Sequence, residues 1–291
     1  MIGERTARFA FVVTLVVVLA SLVSCAKPRA KSGSGGARIV SLSPSTTEAL
    51  FVLGAGERLV GRSRYCDWPA EVAKLPQVGG YVDPSYEAIL ALRPDLVVGA
   101  RGPAGSAISE RLEGRGIVTF FPKTESLDEI DRMILGIGER TGRTAEARAY
   151  VDGMHAKTAS VEAASAKLPH VRVLLVFGLE PLVVAGPSSF PDEMLRRVHA
   201  VNVVTEGGAY PALGIERVLA LDPDVVINAA MGEERSAERM GKDSPGFGRV
   251  RAIREGRLVS IPDESILRPG PRIAEGLERL AKAVHGEAAA P

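Results

Sequence analysis

The sequence predicts an α/β fold of two similar lobes, each with a mostly parallel central sheet, joined by one long α-helix. Three observations carry this. Short apolar runs alternate with helical patterns along the chain, the signature of strands covered on both faces. A twelve-residue segment occurs twice, residues 87–98 matching 216–227 with seven identical positions. Each copy combines a short helix, a Pro-Asp turn and a buried strand, and one copy per half means two lobes of similar topology rather than a solenoid. Between the halves, residues 144–168 contain no Pro and only Gly153, with Tyr150, Val151, Met154 and Val161 forming an apolar stripe.

The elements follow in order. Glu4, Arg5 and Arg8 open the chain, and residues 9–23 are apolar except Thr14 and Ser21. That run is shorter than the roughly 20 residues a membrane span needs, so residues 1–24 are expected to be a secretory signal. Its end, Leu22-Val23-Ser24-Cys25, resembles the lipobox cut by lipoprotein signal peptidase, which implies an acylated Cys25. Residues 25–37 are dominated by Lys, Pro, Ser and Gly and are expected to form a flexible tether. Loss of Glu4, Arg5 and Arg8 takes the formal net charge from +1 to zero.

Residues 38–125 are expected to form the N-terminal lobe, with strands at 39–42, 59–61, 96–99 and 117–121. Ser45 and Glu48 have capping-box spacing, which starts a helix that Gly54 or Gly56 stops. Residues 126–168 form a helical connection: Leu127, Ile130, Ile134 and Ile137 recur at helical spacing, Gly142 interrupts, and the helix over 144–168 joins the lobes. Residues 169–291 form the C-terminal lobe, with strands at 171–177, 225–227 and 258–261 and a helix over 190–201.

Composition excludes several function classes. Thirty-six basic against 35 acidic residues are incompatible with a strongly basic nucleic-acid binder. Two cysteines do not make a disulfide scaffold, and once Cys25 is acylated Cys66 is left as a free thiol or small core residue. There is no G-x-S-x-G elbow, and Gly186-Pro187-Ser188-Ser189 does not supply one. No phosphate-cradling Gly-Lys-Ser/Thr loop occurs, and residues 99–105 lack dinucleotide spacing. His155, His170, His199 and His285 are scattered, with no second His at ligand spacing. No catalytic residue and no metal site are assigned.

Binding remains. Ligands of open α/β sheets sit beyond the carboxyl ends of strands and between lobes. With one Trp, five Tyr and eight Phe in the chain, the loop aromatics are conspicuous: Tyr65, Tyr81 after Gly79-Gly80, Phe177 before Gly178, and Tyr210 after Gly207-Gly208.

Residues 38–48, beginning Arg38-Ile39-Val40-Ser41-Leu42, resemble the opening of the cobalamin- and iron-chelate-binding proteins of ABC importers. Tyr65-Cys66-Asp67-Trp68-Pro69, Val78-Gly79-Gly80-Tyr81, both repeats and Arg268-Pro269-Gly270-Pro271-Arg272 continue the match over nearly all of residues 38–285. The resemblance implies a class III substrate-binding protein with its ligand between the lobes, a monomer that performs no chemistry. It places Tyr65, Tyr81, Phe177 and Tyr210 in an aromatic cleft suited to a flat macrocycle, with Arg101, Asp263 and Arg268 contacting polar groups at the rim. Asp263 and Glu264 are alternatives for one role, and the family aromatic before Arg101 is Ala100 here. The cobalamin-binding members match best, so the implied ligand is a corrinoid, cobalamin first, with haem or an Fe(III)-siderophore as the alternative. A lipid-anchored α/β enzyme is the alternative from another class. The resemblance also implies that Glu87 and Glu216, one per repeat, dock onto arginines of an ABC permease dimer carrying its ATPase subunits. The expected location is extracytoplasmic, in the periplasm or at the cell surface, held to the membrane through Cys25.

Overall fold

β1 (Ile39–Ser41) is buried along its whole length, as a central parallel strand must be when helices cover both faces. The computed structural model describes residues 36–102, 105–230, 236–261 and 268–289. The expected leader, the Cys25 anchor and Asp263 lie outside the described residues. β1 is flanked by β2 (Leu59–Arg62) and β3 (Leu96–Val98), and β4 (Val118–Phe120) completes a parallel sheet in the order β2-β1-β3-β4. The two-residue period sorts its side chains by face: Ile39, Leu96 and Val98 enter one apolar cluster, while Val40 and Val97 enter another.

The second sheet is built on β5 (Val171–Leu179), which pairs in parallel with β8 (Val225–Asn228), itself parallel to β9 (Leu258–Ser260). β6 (Leu182–Val184) returns antiparallel along the end of β5, and β7 (Ala200–Asn202) pairs in parallel with its start. Both were absent from the sequence expectation. The helix expected over 190–201 ends at Arg197, as α6 (Phe190–Arg197). His199 adopts φ 58°, a left-handed turn, and the buried Ala200 and Asn202 alternate with exposed Val201 as a strand.

The repeat builds the same clamp in each half. α2 (Tyr86–Ala91) leads through Arg93, at φ 46°, into β3, and α7 (Ile215–Leu221) leads through Asp222, at φ 40°, into β8. Asp95 Oδ2 accepts from the Arg38 backbone N–H at 2.9 Å, and Asp224 Oδ2 accepts from the Arg172 N–H at 3.1 Å. The Arg38 guanidinium donates to the Leu92 carbonyl at 2.8 Å, as that of Arg172 does to Leu221 at 2.7 Å. The residues after these arginines pair identically, Ile39 with Leu96 and Val173 with Val225.

α1 (Pro44–Val52) starts one residue before the expected capping box. Ser43 is the N-cap, accepting from Thr46 N, and Glu48 is buried instead of capping. α3 (Gly105–Glu113), between β3 and β4, was not foreseen. α4 (Leu127–Thr141) buries the expected stripe of Leu127, Ile130, Ile134 and Ile137 and stops at Gly142, φ 70°. Its cap is a variant of the box: Ser126 accepts from Glu129 N, and the Glu129 carboxylate accepts at 2.8 Å from the N–H of Glu125, the residue before the N-cap. α5 (Thr144–Ser165) is a 22-residue helix that ends three residues before the expected limit. Its Ala147, Val151, Met154 and Val161 join one apolar cluster that also takes Ile39 and Val98 from the first sheet and Val173 and Ile227 from the second. α8 (Ser236–Arg239) and α9 (Arg251–Arg254) are single turns, and α10 (Ile273–His285) adds Ile273, Leu277 and Leu280 to the same cluster. One continuous core, with α5 running through it, therefore serves both sheets.

Candidate functional site

Of the aromatic residues singled out in the sequence, Tyr65, Tyr81 and Tyr210 stand on loops and Phe177 on a strand. Tyr65 follows β2 and is 51% exposed. Arg64 forms an ion pair with Asp83 at 2.7 Å, tying the Tyr65 loop to the Tyr81 loop. Gly79 takes φ 98°, and a Cβ there would strike the Asp83 carbonyl, so the turn before Tyr81 requires glycine. A Cβ on Gly80 would press on the Asp83 carboxylate and lie 3.1 Å from the Tyr65 ring. The Tyr81 hydroxyl donates to the Arg101 carbonyl at 2.7 Å, and its ring lies over Gly102, where any Cβ would strike it.

Phe177 lies two residues inside β5 rather than at the strand end where it was expected. Its ring meets that of Tyr210 edge-on, with centroids 5.6 Å apart and planes at 79°, a favourable quadrupole geometry. The Tyr210 loop is pinned to the second sheet, with Val184 N donating to the Pro211 carbonyl at 3.1 Å and Gly186 N to that of Ala209 at 2.9 Å. A Cβ on Gly186 would collide with the Gly208 carbonyl, so this approach requires glycine.

Burial, and secondarily the Glu125 carboxylate, raise the ionisation of both the Tyr81 and the Tyr210 phenols above the ordinary tyrosine value.

Arg101 stands beyond β3. Its N–H donates to the Pro122 carbonyl at 2.8 Å, and its exposed side chain lines a recess of about 600 Å³ with Ser109, Glu113, Thr119 and Phe121. Arg268, expected to contact polar groups at the ligand rim, is held by two acids from the first half of the chain. It is mostly buried, pairing with Glu48 at 3.2 Å and Asp67 at 3.0 Å. Glu48, only 2% exposed, also pairs with Arg272 at 2.8 Å, and the Arg272 guanidinium lies 4.9 Å from the Trp68 ring centroid. The sequence reading gave Glu48 only a capping role and quoted Arg272 only within a motif. The signal available was the spacing Arg268-Pro269-Gly270-Pro271-Arg272, whose Gly270 passes so close to α1 that a Cβ there would lie 3.3 Å from the Ser45 side chain.

Glu87 and Glu216 occupy the second position of α2 and α7, both exposed and equivalent in the repeated clamp. Cys66 is a buried free thiol. It accepts from the Thr47 hydroxyl at 3.1 Å, and burial pushes its ionisation up, away from reactivity. His155 pairs with Asp131 at 2.7 Å, and no three metal-binding side chains cluster among the described residues.

A family model described as periplasmic binding protein matches residues 39–265. An uncharacterized ABC transporter substrate-binding lipoprotein of Bacillus subtilis, YvrC, is 26% identical over 85% of this chain and 80% of its own. A cobalamin-binding protein of Halobacterium salinarum is 28% identical over 85% and 69%, respectively. Among solved structures, the periplasmic heme-binding protein RhuT from Roseiflexus is similar at a TM-score of 0.76 and 27% identity, covering 88% of this chain and all of its own.

Proposed function

This chain belongs to the periplasmic binding protein family, and from that premise we propose that it is the extracytoplasmic substrate-binding component of an ABC importer, capturing a corrinoid, cobalamin first, and delivering it to a permease dimer with its ATPase subunits. The role is capture and hand-over, without chemistry. Cys25 carries the lipid anchor, and the processed chain acts as a monomer.

The observation that carries the ligand is the set of partly exposed aromatics, Tyr65 and Tyr81 from the first half of the chain and Phe177 in contact with Tyr210 from the second. Such faces supply apolar area with a polar tip each, which suits a broad corrin ring bearing polar side groups. The similarity to RhuT favours haem as a second reading. A haem held through a tyrosine oxygen needs that oxygen free for the iron, and the Tyr81 hydroxyl is already engaged with the Arg101 carbonyl, which supports placing the corrinoid first. Arg101, Arg268 and the acid at 263 or 264 then serve the ligand rim, Arg268 through the ion-pair network it shares with Glu48 and Asp67.

Delivery uses Glu87 and Glu216. Their equivalent positions in a duplicated clamp give the receptor a pseudo-twofold face for a twofold permease. Native mass spectrometry and absorbance titration of the purified chain with cyanocobalamin, dicyanocobinamide, haemin and an Fe(III)-catecholate test the assignment. A 1:1 corrinoid complex with a shifted corrin band is expected. Absence of corrinoid binding at micromolar concentration overturns the corrinoid assignment, and a Soret shift lost in Tyr65→Phe or Tyr81→Phe replaces it with haem.

A further inference from the structure

We propose that Arg62 is a positioning residue for ligand binding: from within the loop of residues 63–75, its guanidinium fixes the backbone that presents the Tyr65 ring. The inference rests on the reading of Tyr65 as part of a macrocycle cleft. It goes further by giving a role to a buried cation that the ligand itself does not reach.

Arg62 is the last residue of β2, which stands at the edge of the first sheet. Both ends of the loop meet there. Arg62 N donates to the Pro76 carbonyl at 3.0 Å, and Val78 N donates to the Arg62 carbonyl at 2.9 Å. Residues 63–75 thus leave the sheet at Arg62 and return beside it, where Gln77 bridges to Arg62 in parallel. A surface loop closed on itself in this way is an Ω-loop. Cys66 and Val72 turn into the core, whereas Tyr65 is left half exposed.

The Arg62 side chain is only 6% exposed, and among the described residues no carboxylate pairs with it. Its partners are loop carbonyls. Nη1 donates to Ser63 and to Cys66, and Nη2 to Ala73, each at 3.1 Å. Ser63 and Cys66 flank Tyr65 on the outgoing arm, and Ala73 lies on the returning arm, so one guanidinium binds the two arms together. Irregular backbone has no ladder to satisfy its buried carbonyls. A planar fork of donors reaches several of them at once, which the point charge of a lysine does not.

The other ties on this loop are weaker. Arg64 pairs with Asp83 and Asp67 with Arg268, but both acids are more than half exposed, and water competes for such pairs. Charge-assisted bonds to buried carbonyls are the stronger hold. Holding Tyr65 in place before the ligand arrives removes the ordering cost from binding.

Arg62→Lys and Tyr65→Ala, made singly and together, test this by calorimetric titration with dicyanocobinamide and with haemin. Each single variant is expected to bind its macrocycle about tenfold more weakly than the native chain. The double variant is expected to bind no more weakly than Tyr65→Ala, because Arg62 acts through that ring. A merely structural role for Arg62 does not produce this coupling. Cys66, whose own carbonyl Arg62 holds, reports the loop directly: its alkylation by iodoacetamide under native conditions, read by peptide mass spectrometry, is expected to be about tenfold faster in Arg62→Lys. Arg62→Gln, which is neutral and shorter, is the second variant, with the same outcomes expected. An equal loss of affinity from the Arg62 substitution with and without Tyr65, or native affinity despite faster alkylation, overturns the positioning role and leaves the receptor reading intact. Native affinity in Tyr65→Ala removes Tyr65 from the cleft, and failure of the native chain to bind either macrocycle overturns the cleft reading; each takes this inference with it.

Discussion

Glu48 accepts a hydrogen bond from Arg272 at 2.8 Å across 224 positions of sequence. The carboxylate belongs to α1, beside the first sheet, and the guanidinium immediately precedes α10, so the pair ties the beginning of the folded chain to its end. Arg268 adds a second contact to the same oxygen at 3.2 Å. A carboxylate this deeply buried persists because two cations compensate for lost hydration. Glu48→Ala leaves Arg272 largely buried without this anion and Arg268 with the exposed Asp67, and is expected to lower unfolding free energy by about 3 kcal/mol. Equilibrium urea denaturation measures this. A loss below about 1 kcal/mol, the range of an exposed pair, would mean that water reaches the network.

Much of the fold was legible because its signals are local. The repeat led to two sheets, and the structure gives the reason for its particular residues. Asp95 and Asp224 hold the chain entering β1 and β5, while Arg93 and Asp222 make equivalent left-handed turns. Two of the loop aromatics were conspicuous for a similar reason, since Tyr81 and Tyr210 each follow a glycine at positive φ two residues earlier. Glu48 was misjudged because the spacing from Ser45 imitates a cap, whereas its partners lie more than 200 residues away. Strand β7 was hidden behind α6, since a run of valines after a helix fits either period until His199 turns the chain.

Gly102 lies directly beneath the Tyr81 ring, so Gly102→Ala forces the ring outward and breaks its bond to the Arg101 carbonyl. Because Tyr81 is partly exposed, the fold absorbs the displacement and the binding surface does not. Corrinoid affinity is expected to fall about tenfold, roughly 1.4 kcal/mol, with little change in melting temperature. Gly105→Ala is the control, since its Cβ meets Phe121 at an ordinary 3.8 Å. Equal affinities for the two variants would show that Tyr81 does not contact the ligand.

Tyr150, on α5, donates to the Pro271 carbonyl at 3.1 Å, and its ionisation is pushed up to about 12, mainly by burial and further by Glu275 and Glu48. An unfolded tyrosine ionises near 10. Between these values the unfolded chain releases a proton that the folded chain retains, so stability is fully present below pH 10 and falls as pH approaches 12. The effect is moderated by the partial exposure of the ring. Denaturation midpoints measured from pH 9 to pH 12 are expected to decline more steeply in the native chain than in Tyr150→Phe. Parallel slopes would assign the alkaline loss to other groups.

Glu87 and Glu216 offer a test of docking that leaves capture untouched. Each is exposed at the second position of its short helix, in an equivalent place within the two clamps. Charges at a docking rim act mainly on encounter rate and orientation, and salt screens them. Glu87→Arg and Glu216→Arg are each expected to slow association with the cognate permease about tenfold at low ionic strength. The double variant is expected to abolish stimulation of the permease ATPase, with corrinoid affinity unchanged in all three. The paired loss matters most, because a receptor with two equivalent contacts is misoriented when either fails and released when both do. Full ATPase stimulation by the double variant would remove these glutamates from the permease interface, and a matching fall in corrinoid affinity would assign them to the fold instead.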